Sequence, residues 1–171
     1  RHLTVILNGK TIIDNQPVAG VIYAPAHNTL YLSGADSAFM AEFEITATFD
    51  ASKLRPINTR PTPADGLTVI ASKSHMSPET KAFVDTLQVS EMISAGSSLK
   101  FCLLAAGKAD IYPRHGRTME WDTAASHAIL NGAGGDLVEF GTNETLRYNK
   151  QNLLNPKFIA GSMSNIKSLT M

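Results

Sequence analysis

The chain has 171 residues, of which 43% are hydrophobic and 18% are charged, a composition typical of globular proteins rather than disordered ones. Its 15 basic and 15 acidic residues give a formal charge of zero, which argues against a non-specific nucleic-acid binder but leaves room for a local anion site. A single cysteine cannot form an internal disulfide, and no apolar run approaches the roughly 20 residues that cross a bilayer. These features predict a protein of a reducing compartment without a transmembrane segment.

The first third of the chain is predicted to be rich in β-strands. Residues 17–24 form a short apolar run with β-branched side chains between two prolines. Residues 28–33 suit a hairpin partner for this run, and a weak alternation over 42–48 predicts another strand. Residues 50–66 contain three prolines and few large apolar side chains, so we expect a loop there and the main boundary of the chain.

After residue 66 the pattern changes to alternating strands and helices, which predicts an α/β layered fold. The predicted strands are 67–71, 89–93, 109–112, 136–140 and 158–160. A helix is predicted to begin at Pro78 with Ser77 as its N-cap, and two more are predicted over 99–106 and 122–131. Ligands in such folds usually lie where loops leave strands and enter helices.

Two of these loop-to-helix junctions suit an anion. Residues 72–75 (Ser-Lys-Ser-His) offer hydroxyl, ammonium and imidazole groups, although a polar surface loop has the same composition. In the second junction, Gly96 permits close backbone approach, and Ser97 or Ser98 suits the N-cap of a helix whose free N–H groups attract phosphate. Lys100 in the first turn opposes the helix dipole, so either a bound anion explains it or it is a solvated surface lysine.

The third junction suits a cation. Asp122 lies at a helix start, where a carboxylate is a favourable cap, and it follows the only tryptophan of the chain, Trp121. A hard divalent cation also binds a carboxylate held rigidly in this way. Cys102, on the apolar face of its helix, is predicted to be an inert core thiol.

These junctions carry a resemblance to a known family. Residues 121–125 (W-D-T-A-A), followed by the small-residue turn at 132–135, resemble the C-terminal signature of the inositol monophosphatase superfamily. Residues 96–103 (G-S-S-L-K-F-C-L) and 109–114 (A-D-I-Y-P-R) resemble the 3'(2'),5'-bisphosphate nucleotidases within it. Residues 72–75 and 17–25 are similar to two further motifs of that group.

The resemblance implies a Mg²⁺-dependent phosphatase that removes the 3'-phosphate of 3'-phosphoadenosine 5'-phosphate, a small-molecule nucleotide, and leaves AMP. By position, Asp122 would be a metal ligand. The residues that would line the nucleotide pocket are His75, Gly96, Ser97, Lys100 and Arg114. The implied location is the cytoplasm, with association with the inner face of the membrane as an option.

The sequence also departs from the family pattern. The family's main metal motif, D-P-[IL]-D-G-T, does not occur in it, nor does the glutamate pair that precedes that motif. Since a full-length member has roughly 250 residues, we expect the chain to correspond to its C-terminal two-thirds, with no catalytic residue of its own. Residues 1–66 would then be the remaining strands of an N-terminal sheet subdomain and 67–171 a C-terminal α/β subdomain of an αβαβα sandwich.

Two alternatives remain open at this point. One is a phosphatase of the same superfamily that acts on inositol monophosphate or on a sugar phosphate such as fructose 1,6-bisphosphate. The other is a binding module that keeps the nucleotide pocket and has lost hydrolysis.

Overall fold

The computed structural model describes residues 7–34, 36–71 and 76–170, and in them two five-stranded sheets alternate with helices. Sheet 1 is antiparallel, and its strands lie side by side in chain order. Its strands are β1 (Leu7–Ile13), β2 (Gln16–Ala24), β3 (Thr29–Gly34), β4 (Ser37–Glu42) and β5 (Arg55–Ile57). The strands predicted at 17–24 and 28–33 are confirmed as β2 and β3.

Sheet 2 is mixed. Its strands are β6 (Leu67–Ile70), β7 (Val89–Ile93), β8 (Ile111–Arg114), β9 (Gly135–Glu139) and β10 (Phe158–Ser162). They lie in the order β7-β6-β8-β10-β9; β6 is parallel to both its neighbours, and β10 is antiparallel to both of its own. All five correspond to predicted strands, although β8 begins two residues later than expected.

Four α-helices complete the fold of the described residues. They are α1 (Pro78–Val84), α2 (Leu99–Ala105), α3 (Glu120–Gly132) and α4 (Met163–Thr170). The predicted start of α1 is confirmed, because the Thr80 N–H donates to the Ser77 hydroxyl and Pro78 occupies the first turn. None of the helices in the described ranges is long and apolar enough to cross a membrane.

Side-chain alternation along sheet 2 gives it two buried faces. On β8, Tyr112 faces a cluster shared with sheet 1, α2 and α3, whereas Ile111 faces a cluster that includes Val84 of α1. On β10, Phe158 faces the first cluster and Ile159 packs with Ile166 of α4. The order of layers is therefore sheet 1, α2 with α3, sheet 2, and α1 with α4, which confirms the predicted α/β sandwich.

Helix α3 packs directly on the main chain of sheet 1. A Cβ atom at Gly20 of β2 would lie 2.1 Å from the Ala125 carbonyl oxygen, and one at Gly132 would lie 2.7 Å from the Ser37 carbonyl oxygen. Neither glycine has a positive φ, so close approach and not backbone conformation requires them. Glycine at both positions lets the helix that carries Asp122 contact the sheet.

The strand predicted over 42–48 is wrong. Sheet 1 uses Ser37–Glu42 instead, and the chain then turns, with the Phe43 N–H donating to the Asn28 carbonyl at 2.7 Å and the Ala47 N–H to the Glu44 carbonyl at 2.8 Å. Phe43 packs edge-on against Tyr23 at 5.6 Å between ring centroids. The alternation over 42–48 thus reflects a turn with one anchored aromatic ring.

The division of the chain at residue 66 stays a prediction. The loop expected over 50–66 is wrong in part, because it contains β5, which pairs with β4. Sheet 1 ends at Ile57 and sheet 2 begins at Leu67, so a division at residue 66 lies between the sheets. One hydrophobic cluster nevertheless includes side chains from both sheets, for example Ile22 and Leu137.

Candidate functional site

A cavity of about 540 Å³ lies where α2, β8 and the start of α3 meet. Its wall includes a loop before α2, the end of β8, the loop that follows β8, and the first turn of α3. The predicted site residues that line it are Gly96, Ser97, Lys100, Arg114 and Asp122. The sixth, His75, lies outside the described residues. The structure thus brings together two of the three junctions singled out in the sequence.

Lys100 is a buried cation in this wall. Its side chain is only 7% exposed, and among the described residues it forms no ion pair. Its Nζ lies 5.2 Å from the centroid of the Tyr112 ring. Burial, together with the nearby Arg114 charge, lowers the Lys100 pKa from 10.5 to about 8. The alternative of a solvated surface lysine is therefore wrong.

Arg114 is a second cation of the same wall. Its Nε is buried and has no hydrogen-bond partner among the described residues, and none of their carboxylates forms an ion pair with its guanidinium. Beside it, Tyr112 packs edge-on against Phe101 at 5.2 Å and Phe158 at 5.7 Å between ring centroids. Burial raises the Tyr112 pKa, so its hydroxyl stays neutral at physiological pH. In the described part of the chain, two cations without an ion-pair partner thus lie next to an aromatic cluster, an arrangement that suits an anionic ligand.

Asp122 contributes a negative charge to the wall of the same cavity. It is the third residue of α3, and its Oδ2 accepts the Met119 N–H at 2.8 Å. The predicted capping role is thereby observed, with the helix starting two residues earlier than expected. The side chain is exposed, and Oδ1 has no hydrogen-bond partner in the part of the chain that the structure describes. One oxygen is therefore available to a ligand.

Thr123, next to Asp122, is held in the wall by a buried network. Its Oγ1 accepts hydrogen bonds from Asn155 Nδ2 at 3.0 Å and from the Tyr148 hydroxyl at 3.3 Å. The Tyr148 oxygen lies 2.9 Å from Nδ1 of His127, whose Nε2 lies 2.8 Å from Asp136 Oδ1. This chain of contacts holds the first turn of α3 in place.

The loop before α2 differs from the prediction in its capping. Ser98 is the N-cap residue, but its hydroxyl makes no cap hydrogen bond and instead lies 3.4 Å from the Asp122 carbonyl oxygen. Ser97 has a φ of 46°, in the left-handed region that non-glycine residues rarely adopt. The hydroxyl of Ser98 therefore ties the loop before α2 to the first turn of α3.

The donor set for a metal is incomplete in the described residues. They contain no group of three His, Cys, Asp or Glu side chains that could hold a metal ion. Asp122 fits a single carboxylate ligand, whereas a two-metal phosphatase site needs several. The residues that the structure describes do not form a metal site by themselves.

Some residues of the cavity were not predicted from the sequence. They include Tyr112, Arg117, Thr118, Thr123 and Phe158. Tyr112 could have been found from strand alternation, since it lies two residues before Arg114 and so on the same face of β8. Arg117 had a weaker signal, a basic residue in the loop that leads into the helix of Asp122.

The fold and the cavity together define a class of protein. The profile of the inositol monophosphatase family matches residues 9–170, and the chain belongs to this family. This confirms the family that the sequence motifs predicted.

Two bacterial nucleotidases are among the relatives that this chain resembles. The chain is 36% identical over 153 residues to the 3'(2'),5'-bisphosphate nucleotidase CysQ of Escherichia coli K12, which covers 89% of this chain and 58% of that protein. The nucleotidase of the same name from Buchnera aphidicola is 37% identical over 150 residues, covering 86% of this chain and 53% of that one. The chain spans less than two thirds of the length of either relative.

Solved structures of family members have the same fold as this chain. The crystal structure of CysQ from Bacteroides thetaiotaomicron matches with a TM-score of 0.83 at 37% identity, over 92% of this chain and 62% of that one. Inositol monophosphatase II of Staphylococcus aureus matches with a TM-score of 0.76 at 16% identity, over 96% and 57%. The second likeness shows the shared fold alone.

Proposed function

We propose that the chain carries the nucleotide-binding part of a metal-dependent phosphatase that converts 3'-phosphoadenosine 5'-phosphate to AMP and phosphate in sulfate assimilation. The observation that carries this proposal is a pair of cations, Lys100 and Arg114, that lie in the wall of one cavity and have no ion-pair partner among the described residues. Burying a charge without a partner costs free energy, so stability alone would not place them there. A phosphate group in the cavity supplies the missing negative charge.

The number of cations favours a ligand with two phosphates. Arg117 adds a third positive charge to the cavity, against one carboxylate from Asp122. A nucleotide with two phosphate groups can engage separate cations at once, and a cavity of about 540 Å³ has room for it. The names of the relatives at 36–37% identity support the same substrate class over inositol monophosphate or a sugar phosphate.

The proposal includes Mg²⁺ as the cofactor, with Asp122 as one ligand. Bound metal ions would supply charge stabilisation for phosphoryl transfer. The chain's own cations would bind and orient the phosphate groups, and Gly96 and Ser97 would line the nucleotide pocket. The described residues do not complete the set of metal ligands. His75, which the resemblance assigns to the pocket, lies outside them.

A second candidate is nucleotide binding without hydrolysis by the 171 residues alone. The incomplete set of metal-ligating side chains among the described residues favours it. Both candidates share the same pocket, so binding and hydrolysis are measured separately.

The binding test is calorimetry with 3'-phosphoadenosine 5'-phosphate and with AMP, each with and without Mg²⁺. We expect Lys100→Ala to weaken binding by about 10- to 100-fold, the effect of losing one charge-assisted hydrogen bond. Lys108→Ala is the matched control, because Lys108 is exposed and lies outside the cavity. Unchanged affinity in Lys100→Ala would refute the pocket assignment.

The hydrolysis test compares phosphate release from 3'-phosphoadenosine 5'-phosphate, inositol 1-phosphate and fructose 1,6-bisphosphate in the presence of Mg²⁺. We expect release from the nucleotide to be fastest. A preference for inositol phosphate would overturn the substrate, and binding without release from any substrate would favour the second candidate.

We also propose a cytoplasmic location, supported by the single cysteine. Cys102 is the single cysteine of the 171 residues and is fully buried and free, so no disulfide forms within them. The partner proposed for the cavity is a small-molecule nucleotide, and the zero net charge gives no support to nucleic-acid binding.

A further inference from the structure

Gly116 lies directly against the guanidinium group of Arg114. A Cβ atom at Gly116 would lie 3.2 Å from Cζ, 3.3 Å from Nη2 and 3.4 Å from Nε of Arg114. All three nearest atoms thus belong to that one side chain. The arginine folds back over the main chain two residues after its own position, and the missing side chain leaves the space for it.

Backbone conformation does not explain this glycine. Its φ does not fall in the positive range that favours glycine, unlike Gly107 and Gly134. An alanine at 116 therefore meets no left-handed backbone strain, and the three heavy atoms nearest to its methyl group would all belong to Arg114.

His115, which precedes Gly116, holds the loop after β8 through contacts of its own side chain. His115 packs on the Phe140 ring at 4.4 Å between centroids, and its Nδ1 lies 3.1 Å from Thr80 Oγ1. These contacts hold His115, the residue next to Gly116, against α1 and against Phe140 after β9. When a methyl group is added at 116, we therefore expect the flexible guanidinium to shift and the main chain to stay in place.

Apart from a hydrogen bond with the Tyr112 side chain, the described residues offer the guanidinium little that stabilises the position it takes. Its Nε is buried without a hydrogen-bond partner in the described part of the chain, which costs free energy. The same group lines the cavity beside Lys100.

We propose that Gly116 is a positioning residue that holds the Arg114 guanidinium in the cavity wall, where its outer nitrogens meet a phosphate group of the ligand. The inference rests on the proposed function only in taking phosphate as the ligand of Arg114. The steric part, that residue 116 sets where the guanidinium lies, stands on the geometry alone.

The experiment is a double-mutant cycle of Gly116→Ala and Arg114→Ala, read as affinity for 3'-phosphoadenosine 5'-phosphate. Gly116→Ala is expected to weaken binding about 3- to 10-fold in the wild-type background, and by less than about twofold when Arg114 is already alanine. Gly34→Ala is the matched control, since a Cβ there meets nothing within 4 Å and its φ is not positive. Equal losses in both backgrounds would overturn the proposal, as would no loss from Gly116→Ala while Arg114→Ala weakens binding.

A second readout does not need a ligand. The Arg114 Nε–H gives a nitrogen-15 NMR signal, which its loss in Arg114→Lys assigns. Because Nε is buried, its proton is expected to exchange slowly with solvent, and Gly116→Ala is expected to shift the signal and speed the exchange. If no nucleotide binds, the proposed function fails, and this signal still decides the role of Gly116: an unchanged signal refutes it.

Discussion

Replacing Lys100 with methionine is expected to stabilise the free protein while it weakens ligand binding. Lowering a lysine pKa from 10.5 to about 8 corresponds to about 3 kcal/mol of unfavourable free energy for the charged form in the folded state. Methionine has a similar length and carries no charge, so this cost disappears. The cation–π contact with Tyr112 is lost as well, worth about 1 kcal/mol. The net expected gain in the free energy of unfolding is about 2 kcal/mol at pH 7.

The gain depends on pH in a defined direction. The folded-state pKa of Lys100 lies below its unfolded value, so the cost of the buried charge is fully present below pH 8. It decreases as the pH rises from 8 toward 10.5, because the folded protein then carries a neutral lysine. By pH 9.5 about 2 kcal/mol of the cost is removed. The neutral lysine has no cation–π contact to lose, so the variant is expected to remain more stable by only about 1 kcal/mol.

The assay is urea unfolding of the 171-residue chain and of its Lys100→Met and Lys108→Met variants at pH 7 and pH 9.5. Lys108→Met serves as the control, because Lys108 is exposed and its replacement is expected to change stability by less than about 0.5 kcal/mol. A Lys100→Met protein that is less stable than wild type at pH 7 would refute the reasoning. So would a stability difference of the same size at both pH values.

Three further predictions concern the site and its surroundings. Affinity for 3'-phosphoadenosine 5'-phosphate, measured by calorimetry, should fall by up to about tenfold from pH 7 to pH 9, because Lys100 loses its charge around pH 8; Lys100→Arg should remove this fall, and an equally steep fall in that variant would contradict the assignment. Tyr148→Phe should lower the free energy of unfolding in urea by about 1–3 kcal/mol, since it leaves a nitrogen of the fully buried His127 without its hydroxyl partner; unchanged stability would count against the network. Burial raises the pKa of the Cys102 thiol, so iodoacetamide should modify it in denaturant and not in the native protein, and rapid native labelling would show that the helix opens.

The elements that the sequence predicted have strong local signals. The strand at 67–71 is apolar except for Thr68, and α1 has both a serine N-cap and a proline in its first turn. By contrast, Ser37–Glu42 mixes small, polar and apolar residues, and becomes a strand because it pairs with β3 along its whole length. Helix α4 has only two apolar positions that reach the core, Ile166 and Leu169, too few for a clear stripe.

The site residues that the sequence predicted also have a local signal. Gly96, Lys100 and Asp122 belong to motifs that can be read along the chain. The contribution of Arg117 and Thr123 depends on where the loop after β8 and the first turn of α3 come to lie. That placement follows from tertiary packing, which no local pattern records. The buried state of Lys100 was likewise visible only in the structure, although its position against the helix dipole had indicated an unusual role.

The contact of α3 with sheet 1 through Gly20 and Gly132 has a consequence for how the protein can diverge in sequence. At these two positions, main-chain atoms limit the separation between α3 and sheet 1. We therefore expect this separation to change little when the surrounding core side chains are exchanged for others of similar volume. Neutral drift in the hydrophobic interior can therefore proceed without displacing Asp122. Substitution of either glycine, by contrast, would push the helix away from the sheet and carry one wall of the cavity with it.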